Sequence, residues 1–241
     1  MIEIIPAILP KNYEDLKNKI ALVRGIVPLV QIDICDGMFV PSKTWPFFTK
    51  VPKGTALLES GLDEHFLKIL NEEEGMPFWE DIDFELDLLV FDAVENFDIY
   101  TKLGAKKVIF HLEAVGDLKE FKNFLEGIDL YIRDSIQIGL AINPATPTEQ
   151  IFPLISSLDF VQCMGNDKIG YQGIELDEQI YKKVKILREK YPDLPIAIDI
   201  GVNEETASVL IEAGATKLII GSAIFNAEDI IEKIEEFKNL G

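Results

Sequence analysis

Polar side chains that could carry acid/base chemistry recur where short apolar runs of this sequence end. Gln31 and Asp33 lie two residues apart, as do Glu85 and Asp87, so each pair points to one side of an extended strand. Other polar residues end similar runs, namely His111, Glu113, Asn143 and Asp199. Carboxylates that converge repel one another, and their pKa values rise unless a cation or a shared proton relieves the repulsion. The pattern therefore predicts a site for acid/base chemistry or for a bound cation.

Eight apolar runs alternate along the chain with eight amphipathic segments, and no Ser- or Pro-rich linker separates them. The predicted strands are Glu3 to Ile8, Leu29 to Asp33, Ile82 to Leu89, Lys107 to His111, Gln137 to Asn143, Phe160 to Met164, Ile196 to Ile200 and Lys217 to Gly221. The predicted helices are Tyr13 to Val23, Asp63 to Glu73, Ala93 to Leu103, Leu118 to Glu126, Thr148 to Leu158, Asp177 to Lys190, Glu204 to Ala213 and Glu228 to Asn239. This alternation predicts a single (β/α)8 barrel, a TIM barrel, over residues 1–241.

An open doubly wound sheet is the alternative fold. It would usually carry a Gly-rich loop after its first strand, where this sequence has Leu9-Pro10-Lys11. In a barrel the active site lies at the C-terminal ends of the strands, which is where the polar residues stand. Loops after the seventh and eighth strands commonly bind phosphate there, and this sequence places Gly201-Val202 and Gly221-Ser222 in them. We therefore expect a phosphate-bearing ligand.

One connection is much longer than a βα unit needs. It separates the second and third predicted strands, and its insertion-like part covers residues 43–81. Its aromatic residues include Trp45, Phe47, Phe48, Phe78 and Trp79. Our interpretation is that these aromatics close the barrel end or pack over the second helix. The alternative is a lid or a surface for homo-oligomer formation.

The charge balance restricts the possible partners. The chain has 23 Lys plus Arg against 42 Asp plus Glu, a net charge of −19, which opposes binding to nucleic acid or to an anionic membrane. No apolar run approaches the roughly 20 residues of a membrane span, and the first residues lack a basic leader segment. Two cysteines are too few for a disulfide framework. We expect a cytoplasmic protein whose partner is a small molecule.

The motifs at the strand ends resemble those of the ribulose-phosphate 3-epimerase family. The resemblance runs through nearly the whole chain except the long connection. The matching segments, in the order in which the family has them, are Pro6 to Leu9, Gln31 to Pro41, His111 to Ala114, Leu140 to Pro147, Asp199 to Val202 and Gly221 to Phe225. Several ordered matches over one chain are a specific sign of kinship.

The resemblance implies proton transfer at carbon 3 of a ketopentose 5-phosphate, between D-ribulose and D-xylulose 5-phosphate, through an enediolate. Asp33 and Asp199 match the family's two acid/base carboxylates. Phosphate is expected against Gly201, Val202, Gly221 and Ser222, with Gly170 and Gln172 closing over it from the sixth loop and His111 beside the substrate. The family also binds a divalent metal through two histidines and the same two aspartates.

This sequence departs from the family at the metal ligands. Gln31 and Asp87 replace the two histidines, and Pro10 replaces a serine that helps to hold substrate. The resulting set of Asp33, Asp87, Asp199 and Gln31 offers oxygen ligands, which suit magnesium or manganese better than zinc. Two alternatives stay open. One is loss of the metal with action on another phosphorylated sugar, and the other is a barrel that binds sugar phosphate without turning it over.

Overall fold

The computed structural model describes residues 2–46 and 63–240 of the chain. Its strands form a closed barrel in sequence order, and every neighbouring pair is parallel. The strands are β1 Glu3–Ile8, β2 Leu29–Cys35, β3 Asp83–Leu89, β4 Lys107–His111, β5 Gln137–Ile142, β6 Phe160–Met164, β7 Ile196–Asp199 and β8 Lys217–Ile220. The predicted (β/α)8 barrel is confirmed, and each predicted strand lies within a few residues of an observed one.

Helices cover the outside of the barrel. They are α1 Tyr13–Val23, α2 Glu64–Leu70, α3 Phe97–Lys102, α4 Leu118–Gly127, α5 Leu130–Ser135, α6 Gln179–Lys190, α7 Ala207–Ala213, α8 Ser222–Phe225 and α9 Ile230–Lys238. Acidic or amide side chains begin several of them. Asp117, for example, accepts hydrogen bonds from the backbone N–H groups of Lys119 and Glu120, which have no partner inside the helix.

The prediction of a helix from Thr148 to Leu158 was wrong. Two short 3-10 turns, Thr148–Ile151 and Ile155–Ser157, occupy this segment. Pro153 lies between them, and an α-helix cannot continue through it because proline lacks an N–H group and its ring clashes with the preceding turn. The short helices α5 and α8 are additional to the predicted ones.

Residues alternate along each strand between two apolar cores. One set packs against the helices, and the other fills the barrel interior with side chains such as Ile5, Ile109, Phe160 and Ile219. A strand apolar at every position follows from this arrangement, because both of its faces are buried. Among residues 2–46 and 63–240, no helix combines the length and apolar character needed to cross a membrane.

A group of buried charges occupies the end of the barrel opposite to the strand C-termini. Glu85 lies 3.2 Å from the ammonium group of Lys107, and Glu3 lies 3.4 Å from Lys107 and 3.6 Å from Lys217. Glu85 was expected at the barrel mouth with Asp87, and this expectation was wrong. The residues alternate as predicted, but Glu85 precedes Asp87 by two positions along β3 and pairs with the first residue of β4.

The aromatic residues of the long connection that the structure describes do not form one surface. Trp45 is buried and meets Tyr13 and the Phe66 ring of α2 edge to face, as in the packing interpretation. Trp79 is 60% exposed, and Phe78 lies under the guanidinium group of Arg24. Phe47 and Phe48 lie outside the described residues.

Removing the Glu85 carboxylate is expected to destabilise the barrel. Glu85→Ala leaves Lys107 buried with only the more distant Glu3, and loss of one member of a buried pair lowers the free energy of unfolding by about 3 kcal/mol. Chemical denaturation measures this value. The control Glu126→Ala removes an exposed charge 3.7 Å from Lys122 and is expected to leave stability unchanged. Equal effects of the two variants would contradict the assignment.

Candidate active site

Three carboxylates meet at the C-terminal end of the barrel. Asp33 on β2 and Asp87 on β3 are direct neighbours in the strand register, and Asp199 is the last residue of β7. One oxygen atom from each of the three lies within 4.8 Å of the other two. Parallel strands bring residues that are far apart in sequence to one rim, so the barrel itself creates this cluster.

Gln31 connects two of these carboxylates. It is fully buried on β2, two residues before Asp33, and its side chain therefore faces the barrel axis as predicted. The Nε2 group donates one hydrogen bond of 2.8 Å to Asp33 Oδ1 and another of 3.0 Å to Asp199 Oδ2. The amide group of Gln31 thus links the Asp33 carboxylate on β2 to the Asp199 carboxylate on β7.

His111 supports the third carboxylate. Its Nε2 atom lies 2.8 Å from Asp87 Oδ1, and both side chains are completely buried. Burial lowers the pKa of His111, but the charge of Asp87 and the hydrogen bond to it outweigh this effect and leave the pKa above its usual value. The contact with Asp87 therefore favours the protonated form of the His111 ring. The Phe39 ring lies tilted against the His111 ring, with 5.5 Å between the two ring centres.

Burial and mutual repulsion change the protonation of the pair that Gln31 bridges. Burial, followed by the charges of Asp199 and Asp87, raises the pKa of Asp33 well above its usual value. Burial and the charge of Asp87 likewise raise the pKa of Asp199 to about 7, against the hydrogen bonds from Gln31 and from the N–H of Ile200. Without a cation, the two carboxyl groups therefore hold protons to a higher pH than isolated aspartates do.

The donor set fits a divalent cation. Asp87 Oδ2 and Gln31 Oε1 are buried oxygen atoms with no hydrogen-bond partner among the described residues. Unsatisfied buried oxygens next to clustered carboxylates are costly unless something positive binds them. Asp33, Asp87 and Asp199 could therefore hold a metal ion, and the oxygen-only set matches the ligand preference of hard cations.

A cavity of about 260 Å³ opens directly above the carboxylates. Asp33 and Asp199 line its floor, and six of the seven residues predicted to contact substrate and phosphate line its walls, namely Gly170, Gln172, Gly201, Val202, Gly221 and Ser222; the seventh, His111, does not. Gln31, Asp87 and His111 are not among the lining residues and lie behind the two aspartates. His111 instead borders a second cavity of about 200 Å³ between the third and fourth strand ends.

The loop after β6 reaches across this cavity. Gln172 Nε2 donates a hydrogen bond of 3.2 Å to the backbone oxygen of Ala7 on β1, and Ser42 donates to the backbone oxygen of Gly170 from the opposite side. A Cβ atom on Gly221 would lie 2.6 Å from Gln172 Nε2, so a side chain at this position would displace the Gln172 amide group. The loops after β2, β6 and β8 therefore meet over one space.

Two polar residues at the strand ends have other tasks. Glu113 accepts hydrogen bonds from the Asn143 backbone N–H at 2.8 Å and from the Thr146 hydroxyl. Glu113 and Asn143 thereby connect the segments that follow β4 and β5. The prediction missed Tyr171 and Asn226, which line the cavity. Their position in the loops after β6 and β8 was the available signal, since neither belongs to a recognisable motif.

Comparison with known sequences agrees with this arrangement. The sequence model of the ribulose-phosphate 3 epimerase family matches residues 68–225. The chain belongs to the ribulose-phosphate 3-epimerase family. Among its relatives, ribulose-phosphate 3-epimerase of Bacillus subtilis is 28% identical, with 99% of each chain covered. That of Eremothecium gossypii is 28% identical over 98% of this chain and 91% of the relative. The protein is thus an epimerase, an enzyme of the isomerase class.

Solved structures share the barrel of this ribulose-phosphate 3-epimerase family member. KGPDC from Streptococcus mutans superposes with a TM-score of 0.67 at 15% identity over 99% of this chain and 96% of that one. The 3-hexulose-6-phosphate synthase of Salmonella typhimurium gives 0.65 at 16% identity, over 99% and 98% of the two chains. At such identities the likeness concerns the fold.

The raised carboxyl pKa values predict a pH-dependent stability for chelator-treated protein. The folded state retains protons on Asp33 and Asp199 that unfolded chains, with a pKa near 3.8, release. The free energy of unfolding therefore falls by about 3 kcal/mol as the pH rises from about 4 to about 7. Denaturant titrations at several pH values measure it. Asp199→Asn should flatten the decline and the exposed Asp193→Asn should not; a decline identical in both variants would contradict the assignment.

Proposed function

We propose that the enzyme interconverts D-ribulose 5-phosphate and D-xylulose 5-phosphate by moving the proton on carbon 3. The observation that carries this proposal is the pair of carboxylates, Asp33 and Asp199, that line one cavity from β2 and β7 and share the amide of Gln31. Epimerisation requires removal of a proton from one face of the carbon and its return to the other. Two carboxylates on different strands are suited to that task.

The raised pKa values support the assignment of acid and base. A repelling pair that retains one proton provides a carboxylate and a carboxylic acid together near neutral pH. The carboxylate takes the proton from carbon 3, and the electron pair of the C–H bond becomes part of an enediolate. The carboxylic acid then donates its proton to the opposite face. After this step the carboxylate that accepted the proton is a carboxylic acid and its partner is a carboxylate, so the pair is ready for the reverse reaction with Asp33 and Asp199 in exchanged roles. Transfer of a proton from one carboxyl group to the other, directly or through solvent, restores the starting state for another forward turnover.

Backbone groups support the binding of the phosphate. The cavity walls contain Gly201, Val202, Gly221 and Ser222, and no Lys or Arg occurs among the lining residues that the structure describes. Electrostatic screening acts over about 8 Å at physiological ionic strength, so an anion in this cavity responds mainly to nearby N–H dipoles rather than to the net charge of −19. Gln172 and Gly170 cover the ligand from the loop after β6.

We infer that Asp33, Asp87 and Asp199 bind a divalent cation, with magnesium or manganese preferred over zinc. When bound, such an ion acts as a Lewis acid that stabilises negative charge on the substrate oxygens during enolisation. His111 holds Asp87 by one oxygen and leaves the other directed toward the cluster. Gln31 offers its unpartnered oxygen to the same space. These contacts support a site whose ligands are oriented before the ion arrives.

A second candidate is an epimerase or isomerase for a different phosphorylated sugar. The observation in its favour is Pro10, which stands after β1 beside the cavity residue Leu9 and has neither a hydroxyl nor an N–H group to offer a substrate. A barrel that binds sugar phosphate without turnover is the third candidate. The experiment below distinguishes the three.

Isotope exchange tests the reaction. Protein incubated with D-ribulose 5-phosphate in heavy water should introduce deuterium at carbon 3, detected by proton NMR, even when net turnover is slow. Asp33→Asn and Asp199→Asn should each lower the exchange rate at least 100-fold, because general acid/base groups contribute roughly 10² to 10⁴. Asp193→Asn, an exposed carboxylate far from the cavity, is the matched control. Exchange with another sugar phosphate alone would favour the second candidate, and binding without exchange would favour the third.

Metal preference tests the cation assignment separately. Equilibrium dialysis followed by metal analysis should find magnesium or manganese bound to the unmodified protein, with a zinc-to-manganese affinity ratio lower than that of a site with histidine ligands. Asp87→Asn should weaken manganese binding at least about tenfold, and the double variant Gln31→His with Asp87→His should shift the preference toward zinc. A preference that stays the same in the double variant would contradict the assignment of these ligands.

A further inference from the structure

Ile200 adopts a backbone conformation that its side chain disfavours. Its φ angle is 72°, in the left-handed region, and the following residue, Gly201, has a φ of 74°. Glycine adopts such angles without steric cost, whereas a β-branched residue crowds its own backbone there. Backbone strain of this kind persists when the surroundings enforce it, and it concentrates at functional sites. The side chain of Ile200 must therefore do something that a glycine would not.

Contacts on both sides hold this backbone in place. The Ile200 N–H donates a hydrogen bond of 2.7 Å to Asp199 Oδ1. A Cβ atom on Gly165 would lie 2.0 Å from the Ile200 backbone oxygen, so the two loops touch through backbone alone. These interactions involve only the backbone of Ile200, and a glycine at this position would keep all of them. They explain why the backbone adopts this conformation, but they do not explain why the residue is an isoleucine.

Ile200 stands at the border between the cavity and the barrel interior. Ile200 is one of the lining residues, and it packs against the apolar core of the barrel interior. In the chain it lies between Asp199, the acid/base residue of the proposed function, and Gly201, which belongs to the phosphate-binding wall. An apolar surface therefore borders the part of the substrate that connects the reacting carbon to the phosphate.

We propose that Ile200 is a specificity-determining residue that limits the length of this connection. The proposal rests on the proposed function. In a ketopentose 5-phosphate, carbons 4 and 5 separate the reacting carbon 3 from the phosphate ester, whereas a ketohexose 6-phosphate has one additional hydroxylated carbon. The Ile200 side chain fills the space for that carbon and offers its hydroxyl no hydrogen-bond partner, and an unpaired polar group against an apolar wall binds poorly.

The test compares two ligands on matched variants. Isothermal titration calorimetry gives the Kd of D-ribulose 5-phosphate and of D-fructose 6-phosphate, and thermal unfolding gives the stability. In Ile200→Gly the preference for the pentose phosphate should fall at least about tenfold, the effect of one carbon in an apolar pocket. The unfolding midpoint should not fall, because relief of backbone strain offsets the loss of packing. Ile200→Val should retain most of the preference.

Glu72→Gly is the control for strain relief away from the cavity. Glu72 is exposed and has a φ of 61°, so the same exchange should leave the ligand preference unchanged. Ile200→Asn gives a second reading if the glycine variant fails to fold, because asparagine tolerates positive φ. A lower unfolding midpoint with an unchanged preference in these variants would make Ile200 a packing residue and overturn the proposal.

The two hypotheses fail in different ways. Binding of ribulose 5-phosphate without deuterium exchange would end the proposed epimerase reaction, while the ratio of the two dissociation constants would still decide the role of Ile200. Exchange by the unmodified enzyme together with equal ratios in all variants would overturn the role of Ile200 alone. If neither sugar phosphate bound, both would be overturned.

Discussion

The repulsion among three clustered carboxylates is the constraint around which the active-site end of the barrel is organised. Asp33, Asp87 and Asp199 have oxygen atoms within 4.8 Å of one another, in a place that excludes most water. Gln31 donates hydrogen bonds to two of them and His111 contacts the third, and the repulsion that remains raises the pKa values of Asp33 and Asp199. A divalent cation would relieve the same repulsion, so the proposed acid/base pair and the proposed metal site depend on one electrostatic arrangement.

The opposite end of the barrel treats buried charge differently. There Glu85 and Glu3 are matched by Lys107 and Lys217, and the charges neutralise one another without a ligand. Opposite charges that offset one another do not need a bound proton or ion, whereas a cluster of like charges is stabilised by one. The balance of positive and negative charges within each group is therefore what distinguishes the structural group from the proposed reactive one. Strand β3 supplies one carboxylate to each group: Glu85 lies in the paired charges, and Asp87, two residues further along the strand, lies in the carboxylate cluster.

The replacement of two imidazoles changes how the family's chemistry can be carried out here. The resemblance implies that Asp87 stands where the family has a histidine ligand, and His111, whose pKa the contact with Asp87 raises, lies 2.8 Å from one of its carboxyl oxygens. Gln31 gives the amide hydrogens that join Asp33 to Asp199. Gln31 and His111 therefore support different members of the carboxylate cluster, Gln31 the pair of Asp33 and Asp199 and His111 the third carboxylate, Asp87. The strained Ile200 beside Asp199 adds an apolar wall to the same cavity.

Much of the fold and the family of this protein could be predicted from its sequence, because the spacing of apolar residues reflects local secondary structure. Alternating apolar runs and amphipathic segments determined the eight strands, the barrel and the rim at which Asp33, Asp87 and Asp199 stand, and ordered motifs identified the family. Only the tertiary structure decided which groups touch. The sequence analysis did not show that Glu85 lies at the opposite end of the barrel from Asp87, or that the segment around Pro153 forms two short turns rather than a helix. It also did not show that His111 contacts Asp87 rather than lining the cavity, or that the backbone of Ile200 is left-handed. Such facts depend on contacts between distant strands and loops, which hydrophobic periodicity does not encode.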